Sequence, residues 1–248
     1  MTKTNRTALI TGASRGIGLG IADRLARQGY SLTITARDAD RLNTVADRLR
    51  EGGAVDVAAV AADMSDAEGV AGVLAEHSRR FGVLSALIMN AGVGYAEPVA
   101  DASMRRFDKT FAVNLRAPLQ LIQDALPLLR TAAAAEPARG AKVIALSSIT
   151  GVYAEAGLSM YGAAKAALVS LVATLNAEES GRGVTATTIA PGYVDTDMSA
   201  WIHDRIPPEK MLMVNDVVEM VDSLLRLSAR AVVPNIVMSR AGTDGYRA

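Results

Sequence analysis

The sequence predicts an α/β protein: one doubly wound parallel sheet of about seven strands, with helices on both faces. Two observations lead there. Short aliphatic runs alternate with amphipathic stretches from one end of the chain to the other. Half of the 248 residues are hydrophobic, yet only 4% are aromatic, so the apolar supply is Ala, Val, Leu and Ile. Strands sealed on both faces are made of such residues, in continuous rather than alternating runs. In order, the first run is 7–11 (TALIT), and a helical pattern follows at 17–28. The run 31–36 (SLTITA) precedes a helical stretch at 39–50, and 55–61 (VDVAAVA) precedes one at 66–80. The run 84–89 (LSALIM) leads into a long helical pattern at 104–129, and 142–146 (KVIAL) into one at 161–179. After 184–189 (VTATTI) comes a last helical stretch at 216–227, and 236–238 (IVM) closes the series. Six strand-then-helix alternations and a final strand are the pattern of a parallel sheet. The Ala-rich stretch 131–141, with Pro137 and Gly140, reads as a frayed helix end and a turn. No linker, repeat or low-complexity tract divides the chain, so 1–248 reads as one domain.

Composition excludes several classes. With 26 basic and 26 acidic residues the charge balance is zero, which argues against disorder and against a nucleic-acid protein. The absence of cysteine rules out a disulfide scaffold, a thiolate metal site and a cysteine nucleophile. His77 and His203 stand apart, without metal-ligand spacing, and read as packing or surface residues. The longest apolar stretches, such as 163–175, are interrupted by Lys165 and Ser170 and fall short of the ~20 residues of a membrane span. The polar first residues and the brief apolar run behind them do not make a signal peptide. A soluble cytoplasmic protein is expected, with no nucleic-acid, membrane or metal partner.

In a doubly wound sheet, ligands sit outside the carboxyl ends of the strands, where strand order reverses. Strand one runs straight into Gly12-Ala-Ser14-Arg15-Gly16-Ile17-Gly18, and a helix starts at once. Glycines there permit a tight turn and a close backbone approach to a pyrophosphate, and the helix N-terminus offers free N–H groups. The spacing is G-x3-G-x-G, not the commoner G-x-G-x-x-G. Strand two ends at Arg37, where an acidic residue would bind the ribose 2′-hydroxyl of NAD. A guanidinium suits a 2′-phosphate instead. Arg15 and Arg37 therefore favour NADP(H) over NAD(H), with Asp38 beside Arg37 the opposing feature. Strand three ends at Asp63-Met64, where a carboxylate can meet an adenine amino group or cap the next helix. Strand four ends in Asn90-Ala91-Gly92, small enough to pass close to a ligand. Strand six ends in Pro191-Gly192-Tyr193-Val194-Asp195-Thr196, a rigid turn over the same rim.

Strand five delivers Ser147-Ser148, followed by Tyr161-Gly-Ala-Ala-Lys165. Tyr and Lys at i and i+4 share a helix face. Bringing a phenol of ordinary pKa ~10 to neutrality takes roughly 4 kcal/mol. A unit charge 4 Å away at an effective dielectric of 20 supplies about that much. Lys165 is thus expected to lower Tyr161, helped by a cationic nicotinamide.

Together these residues resemble the short-chain dehydrogenase/reductase family, in its single-domain branch of ~250 residues, from about Thr7 to Met198. Residues 11–18 look like its glycine motif, Asn90-Ala91-Gly92 its N-A-G motif, and Tyr161-x3-Lys165 its catalytic pair. Ser148 is similar to the family's catalytic serine, and Asn114, in Phe111-Ala-Val-Asn-Leu115, to its fourth catalytic residue. Pro191, Gly192, Val194 and Thr196 match the segment that holds the nicotinamide carboxamide. The resemblance implies a single-domain Rossmann fold and hydride transfer between NADP(H) and a carbonyl/secondary-alcohol pair. In that reading Tyr161 is the proton donor or acceptor and Ser148 steadies the substrate oxygen. Lys165 assists Tyr161 and holds the nicotinamide ribose hydroxyls, so that Tyr161 and Lys165 also count among the cofactor-binding residues, and Asn114 anchors a water feeding protons to Lys165. It also implies a homodimer or homotetramer. The chain departs from the pattern at Met89, where many relatives have Asn, and in its C-terminus, Ile236-Val-Met-Ser-Arg-Ala-Gly242 and beyond. Residues 211–216 also lack the usual Gly-rich turn. Those departures tell against 3-oxoacyl-carrier-protein reduction, the alternative enzyme reading. A non-catalytic NADP(H)-sensing protein would be expected to have lost Tyr161 or Lys165. The small-molecule substrate is expected to meet a pocket segment at about 193–215. Met198 and Trp201 there form part of a flexible apolar stretch able to close as a lid or to serve as ordinary packing. Tyr153, Leu158 and Tyr193 are further pocket candidates.

Overall fold

A computed structural model describes residues 6–245; the polar start, 1–5, and the end of the divergent tail, 246–248, lie outside the described residues. The strands are β1 (Thr7–Thr11), β2 (Ser31–Ala36), β3 (Asp56–Ala61), β4 (Ala86–Met89), β5 (Ala141–Leu146), β6 (Val184–Pro191) and β7 (Asn235–Met238). The helices are α1 (Gly16–Arg27), α2 (Ala39–Glu51), α3 (Ala67–Phe81), α4 (Met104–Phe111), α5 (Ala117–Ala135), α6 (Ser159–Glu179) and α7 (Val214–Arg226). All seven strands pair in parallel, in the order β3-β2-β1-β4-β5-β6-β7. Strand order reverses between β1 and β4, and the crevice above their carboxyl ends is where the glycine turn and the N-A-G turn meet.

Side chains on a strand alternate between faces, and the sheet sorts its aliphatics accordingly. Ala8, Ile10, Leu32, Ile34, Ile88 and Ile144 pack with residues of α1, α2 and α7. Leu9, Leu87, Met89, Val143 and Ala145 pack on the other face with residues of α3, α5 and α6. The expected elements are all present, with ends moved by about two residues. His77 is fully buried: its Nε2 lies 3.0 Å from the Val83 carbonyl and its Nδ1 2.8 Å from the Thr33 hydroxyl, a packing role. At the amino end of β5, away from the crevice, the buried Lys142 Nζ donates to Thr185 Oγ1 at 2.9 Å and to the Ser228 carbonyl at 3.1 Å.

Two expectations are corrected. The helix read at 104–129 is interrupted by a π-helical turn, Ala112–Arg116, in which Ala117 N–H bonds the Ala112 carbonyl. Pro118 has no N–H for the carbonyl of Asn114, so the α-helical ladder cannot run through this point. The helix then continues through the Ala-rich stretch to Ala135, so that most of what read as a frayed end is regular helix, consistent with the helix propensity of alanine. Secondly, α6 with its 3₁₀ extension, Ser159–Arg182, is long and apolar enough by length and composition to cross a membrane, at a mean hydropathy of 1.2. It instead lies on the sheet, where Asn176 bonds the backbone of Ala186 in both directions at 2.8 Å and Glu179 meets Arg130 and Arg182.

Candidate active site

The glycine turn is shaped by contacts that a side chain would break. Gly12 and Gly16 have φ of +66° and +54°, which disfavours any other residue. At Gly18 a Cβ would stand 2.5 Å from Asn90 Nδ2 and 2.9 Å from the Gly12 carbonyl carbon, so α1 can sit this close to β1 only with glycine there. The N-A-G turn is tied to the same place. Asn90 Nδ2 donates to the carbonyls of Thr11 and Gly12, both at 3.1 Å, and the N–H groups of Asn90 and Ala91 donate to Thr11 Oγ1 at 3.0 Å. The first turn of α1 has no side-chain cap and no acidic residue. Its N–H groups and the positive end of its dipole are therefore directed at the cleft, as a pyrophosphate requires.

The cleft measures about 990 Å³ and is lined by Gly12, Ser14, Arg15, Gly16, Ile17, Arg37, Asp63, Met64, Asn90, Ala91, Gly92, Pro191, Gly192, Val194 and Thr196. With Tyr161 and Lys165, which line the cleft too, these are the expected cofactor residues except Gly18, which packs behind the turn. At the far end Arg37 is exposed and Arg41, on the first turn of α2, lines the cleft with it. Asp38 turns inward on its own helix, where its carboxylate caps α2 by accepting from Arg41 N–H at 3.0 Å. The two guanidinium groups thus fit a 2′-phosphate, and the feature that opposed it has another task. Arg15 does not join them: its Nη1 pairs with Asp197 at 2.8 Å. Asp63 does not cap α3, since Asp66 does so. Its Oδ1 accepts from the N–H and hydroxyl of Ser65, both at 2.8 Å, while Oδ2 lies 3.8 Å from Lys109. Those hydrogen bonds hold its carboxyl below the usual carboxylate range.

Ser148, Tyr161 and Lys165 line the same cleft. Ser148, at the carboxyl end of β5, accepts from the N–H of Thr150 at 3.2 Å and its hydroxyl at 2.9 Å. Tyr161 and Lys165 occupy the first turns of α6, with Lys165 Nζ 5.6 Å from the Tyr161 ring centroid. Two glycines make room for them. A Cβ on Gly94 would lie 3.1 Å from the Tyr161 ring, and one on Gly92 would lie 3.0 Å from Asn114 Oδ1 and 3.5 Å from Lys165 Nζ. Asn114 therefore stands next to Lys165 but behind the cleft wall. It is buried, its Nδ2 donates to the Val93 carbonyl at 2.7 Å, and its Oδ1 accepts from Val93 N–H at 3.2 Å. With its side chain committed, what Asn114 can offer a water is the carbonyl deprived of a donor by Pro118.

The electrostatics differ from expectation. Burial pushes Tyr161 up to about 12, against the lowering effect of its hydrogen bond with Ser148, although part of the side chain remains accessible from the cleft. Burial brings Lys165 down to about 8. The protein by itself does not lower the phenol, because Lys165 lies over the ring and donates to the Leu146 carbonyl at 2.7 Å. Tyr161 is set up as an acid; further positive charge in the cleft is needed to make it a base.

Of the substrate-pocket candidates, Leu158, Tyr193, Met198 and Trp201 line the cleft. Tyr153 does not. It follows a 3₁₀ turn, Ile149–Gly151, that packs on α6 so tightly that a Cβ at Gly151 would lie 2.8 Å from the Lys165 backbone. The chain rejoins the cleft only at Glu155 and Leu158. Tyr193 and Trp201 meet edge to face at 6.1 Å, and Met198 and Trp201 are each 52% exposed, forming an apolar rim. Sequence reasoning missed Arg41, Lys109, Gly94 and Glu155. Arg41 was within reach as a second cation just after the end of β2; Glu155 carried no local signal.

A protein-family model described as short chain dehydrogenase matches residues 6–206. Among curated proteins, the 3-oxoacyl-[acyl-carrier-protein] reductase FabG of Staphylococcus aureus is 31% identical over 214 residues, covering 86% of this chain and 84% of that one. An uncharacterized oxidoreductase of Staphylococcus saprophyticus is 30% identical over 195 residues, 79% of this chain and 81% of its own. Among solved structures, an alcohol dehydrogenase from the archaeon Thermococcus sibiricus complexed with 5-hydroxy-NADP superposes with a TM-score of 0.83 at 28% identity, over 98% of both chains. A short chain dehydrogenase from Burkholderia cenocepacia in complex with NADP gives 0.84 at 29% identity, over 94% of this chain and 96% of that one. With a family match over most of its length, a seven-stranded parallel sheet and a cleft at the reversal of strand order, this chain belongs to the short-chain dehydrogenase/reductase family of oxidoreductases.

Proposed function

We propose that the chain is an NADP(H)-dependent oxidoreductase that interconverts a ketone or aldehyde and its alcohol, with Tyr161 as general acid and base. The observation that carries this reading is the grouping of Ser148, Tyr161 and Lys165 in one cleft with the glycine turn and the Arg37–Arg41 pair. The glycine turn and α1 would hold the pyrophosphate, Arg37 and Arg41 the 2′-phosphate, and the 191–196 turn the nicotinamide end. When bound, the cofactor supplies or accepts the hydride and adds a positive charge in its oxidised form. Ser148 Oγ accepts from Thr150, so its own proton can turn from Tyr161 to the substrate oxygen as charge develops there. Tyr161 gives its proton to that oxygen on reduction. Lys165, neighbour to the ring, would return a proton to it and be reprotonated through a water held by the Asn114 carbonyl. The structural relatives complexed with 5-hydroxy-NADP and with NADP support the choice of cofactor.

The test is NADPH oxidation against a broad panel of ketones and aldehydes. Turnover is expected with some of them, and Tyr161→Phe should lower it by about 10²-fold or more. Cofactor binding without turnover across the panel would favour a cofactor-sensing protein. A second reading, 3-oxoacyl-carrier-protein reduction, draws on the identity with the staphylococcal FabG; a 3-oxoacyl thioester in the panel decides it. We also propose a soluble cytoplasmic protein, on the sequence reading, and on the family resemblance a homodimer or homotetramer, which light scattering would count.

A further inference from the structure

The chain is poor in aromatic residues, with three Phe, six Tyr and one Trp, yet four of those rings line one cleft: Tyr95, Tyr161, Tyr193 and Trp201. Tyr161 has a proton to transfer; carbonyl reduction as such has no use for the other three. Tyr95 follows Gly94, where a Cβ would lie 3.1 Å from the Tyr161 ring, so its side chain starts one residue from that contact. The Tyr95 ring is half-buried, with the Arg106 guanidinium over it at 5.1 Å from the centroid. Arg106 is held in turn by Glu97 Oε2 at 2.6 Å, while Glu97 Oε1 accepts the Ser103 N–H at 3.1 Å.

Hydrogen bonds join the loop of Tyr95 and the side chain of Tyr193 to one short segment, 155–158, directly before α6. The Glu97 N–H donates to the Gly157 carbonyl at 2.8 Å, and the Tyr193 hydroxyl donates to Glu155 Oε1 at 2.8 Å. Trp201 meets Tyr193 edge to face, and its turn is anchored: Ser199 Oγ donates to the Val194 carbonyl at 2.6 Å, and Ile202 is buried. The indole nevertheless stays 52% exposed on the cleft. A large ring held open in a concave site gains by burial against a ligand. We propose that Tyr95 is a further substrate-recognition residue, that its ring and that of Trp201 are walls of the substrate pocket, and that the substrate is a carbonyl compound carrying an aromatic ring. In the oxidative direction it is the corresponding alcohol. Aromatic rings gain from offset or edge-to-face contact beyond the area they bury, which a saturated ring of the same size does not. This rests on the carbonyl/alcohol reading and narrows its substrate class. A plain 3-oxoacyl chain offers these walls no ring.

The experiment compares 4-phenylbutan-2-one with 4-cyclohexylbutan-2-one, in which two methylenes insulate the carbonyl from the ring. Two quantities are measured: kcat/KM with NADPH, and Kd from ligand-observed NMR titration of the protein with NADP. The cyclohexyl ring has the larger apolar surface, so burial alone favours it. Recognition by aromatic walls reverses that order, and the phenyl ketone is expected to lead by about two- to tenfold in both quantities. Tyr95→Leu should bring the ratio to about one or below, and Tyr95→Phe, which keeps the ring, should retain the preference. Trp201→Leu, at an exposed position, should also lower the ratio, and serves if Tyr95→Leu does not fold. A ratio at or below one in the native protein, or one that survives either leucine variant unchanged, overturns the assignment. A binding preference that holds while nothing is turned over supports the aromatic pocket and sinks the carbonyl/alcohol reading. Turnover with no preference for the phenyl ring overturns the aromatic pocket alone.

Discussion

Gly18→Ala and Gly72→Ala are the same chemical change in two helices, and the structure predicts opposite outcomes. At Gly18 the new methyl would lie 2.5 Å from Asn90 Nδ2 and 2.9 Å from the Gly12 carbonyl carbon, closer still to the oxygen. Neither neighbour can swing away, because Asn90 is held to Thr11 and Gly12 by the bonds that join β4 to the glycine turn. Overpacking of this kind costs about 1–3 kcal/mol. Losing the Asn90–Gly12 bond adds about 1 kcal/mol, and the better helix propensity of alanine returns up to about 1 kcal/mol. The net loss of roughly 1–3 kcal/mol corresponds to a Tm lower by about 3–10 °C for a chain of this size. Gly72 is exposed on α3 with nothing within 4 Å of a Cβ, so alanine there should raise Tm by about 2 °C through propensity alone. Thermal unfolding by circular dichroism reads both, and titration with NADPH reads the expected weakening of the phosphate cradle in Gly18→Ala. Equal Tm values for the two variants would refute the claim that close packing of α1 on β1 demands glycine.

Other outcomes follow from single residues. Arg37→Asp replaces a group suited to a 2′-phosphate by one suited to a ribose hydroxyl, and the kcat/KM preference for NADPH over NADH should fall at least about tenfold; an unchanged preference removes Arg37 from cofactor choice. Burial brings Lys142 down to about 8 from 10.5, so between those values the unfolded chain holds a proton that the folded chain has released. Stability should therefore rise with pH from about 8 to 10.5 relative to Lys142→Met, in urea unfolding at several pH values, and parallel curves would contradict it. Burial likewise holds His77 below its ordinary 6.5, so stability should fall as pH drops below 6.5, by less in His77→Gln, measured the same way.

Much of this was legible because it is local. Strands sealed on both faces announce themselves as aliphatic runs, and a turn that must approach a phosphate announces itself as glycine. Ser148, Tyr161 and Lys165 sit at strand and helix ends whose spacing survives folding, and all three reach the cleft. Where the reading failed, a distant or geometric cause was at work. The break at Ala112–Arg116 follows from one missing N–H at Pro118, which periodicity does not register. Tyr153 was placed by position alone, and a tight 3₁₀ turn took it elsewhere. Asp38, weighed by position as a feature against NADP(H), caps α2, a bond that only the folded helix shows.

By itself, then, the sequence determined the alternation of strand and helix, the glycine turn and the residue types available for proton transfer, since these depend on spacing along the chain. Tertiary structure alone decided that β1 lies between β2 and β4, which opens the crevice where those residues meet. It decided that burial, not Lys165, governs Tyr161, because a pKa is set by the groups packed around it and not by its neighbours in sequence. It also brought Glu155 to Tyr193, thirty-eight positions along the chain. A hydrogen bond across that separation exists only once the loops after β5 and β6 are folded over the same cleft.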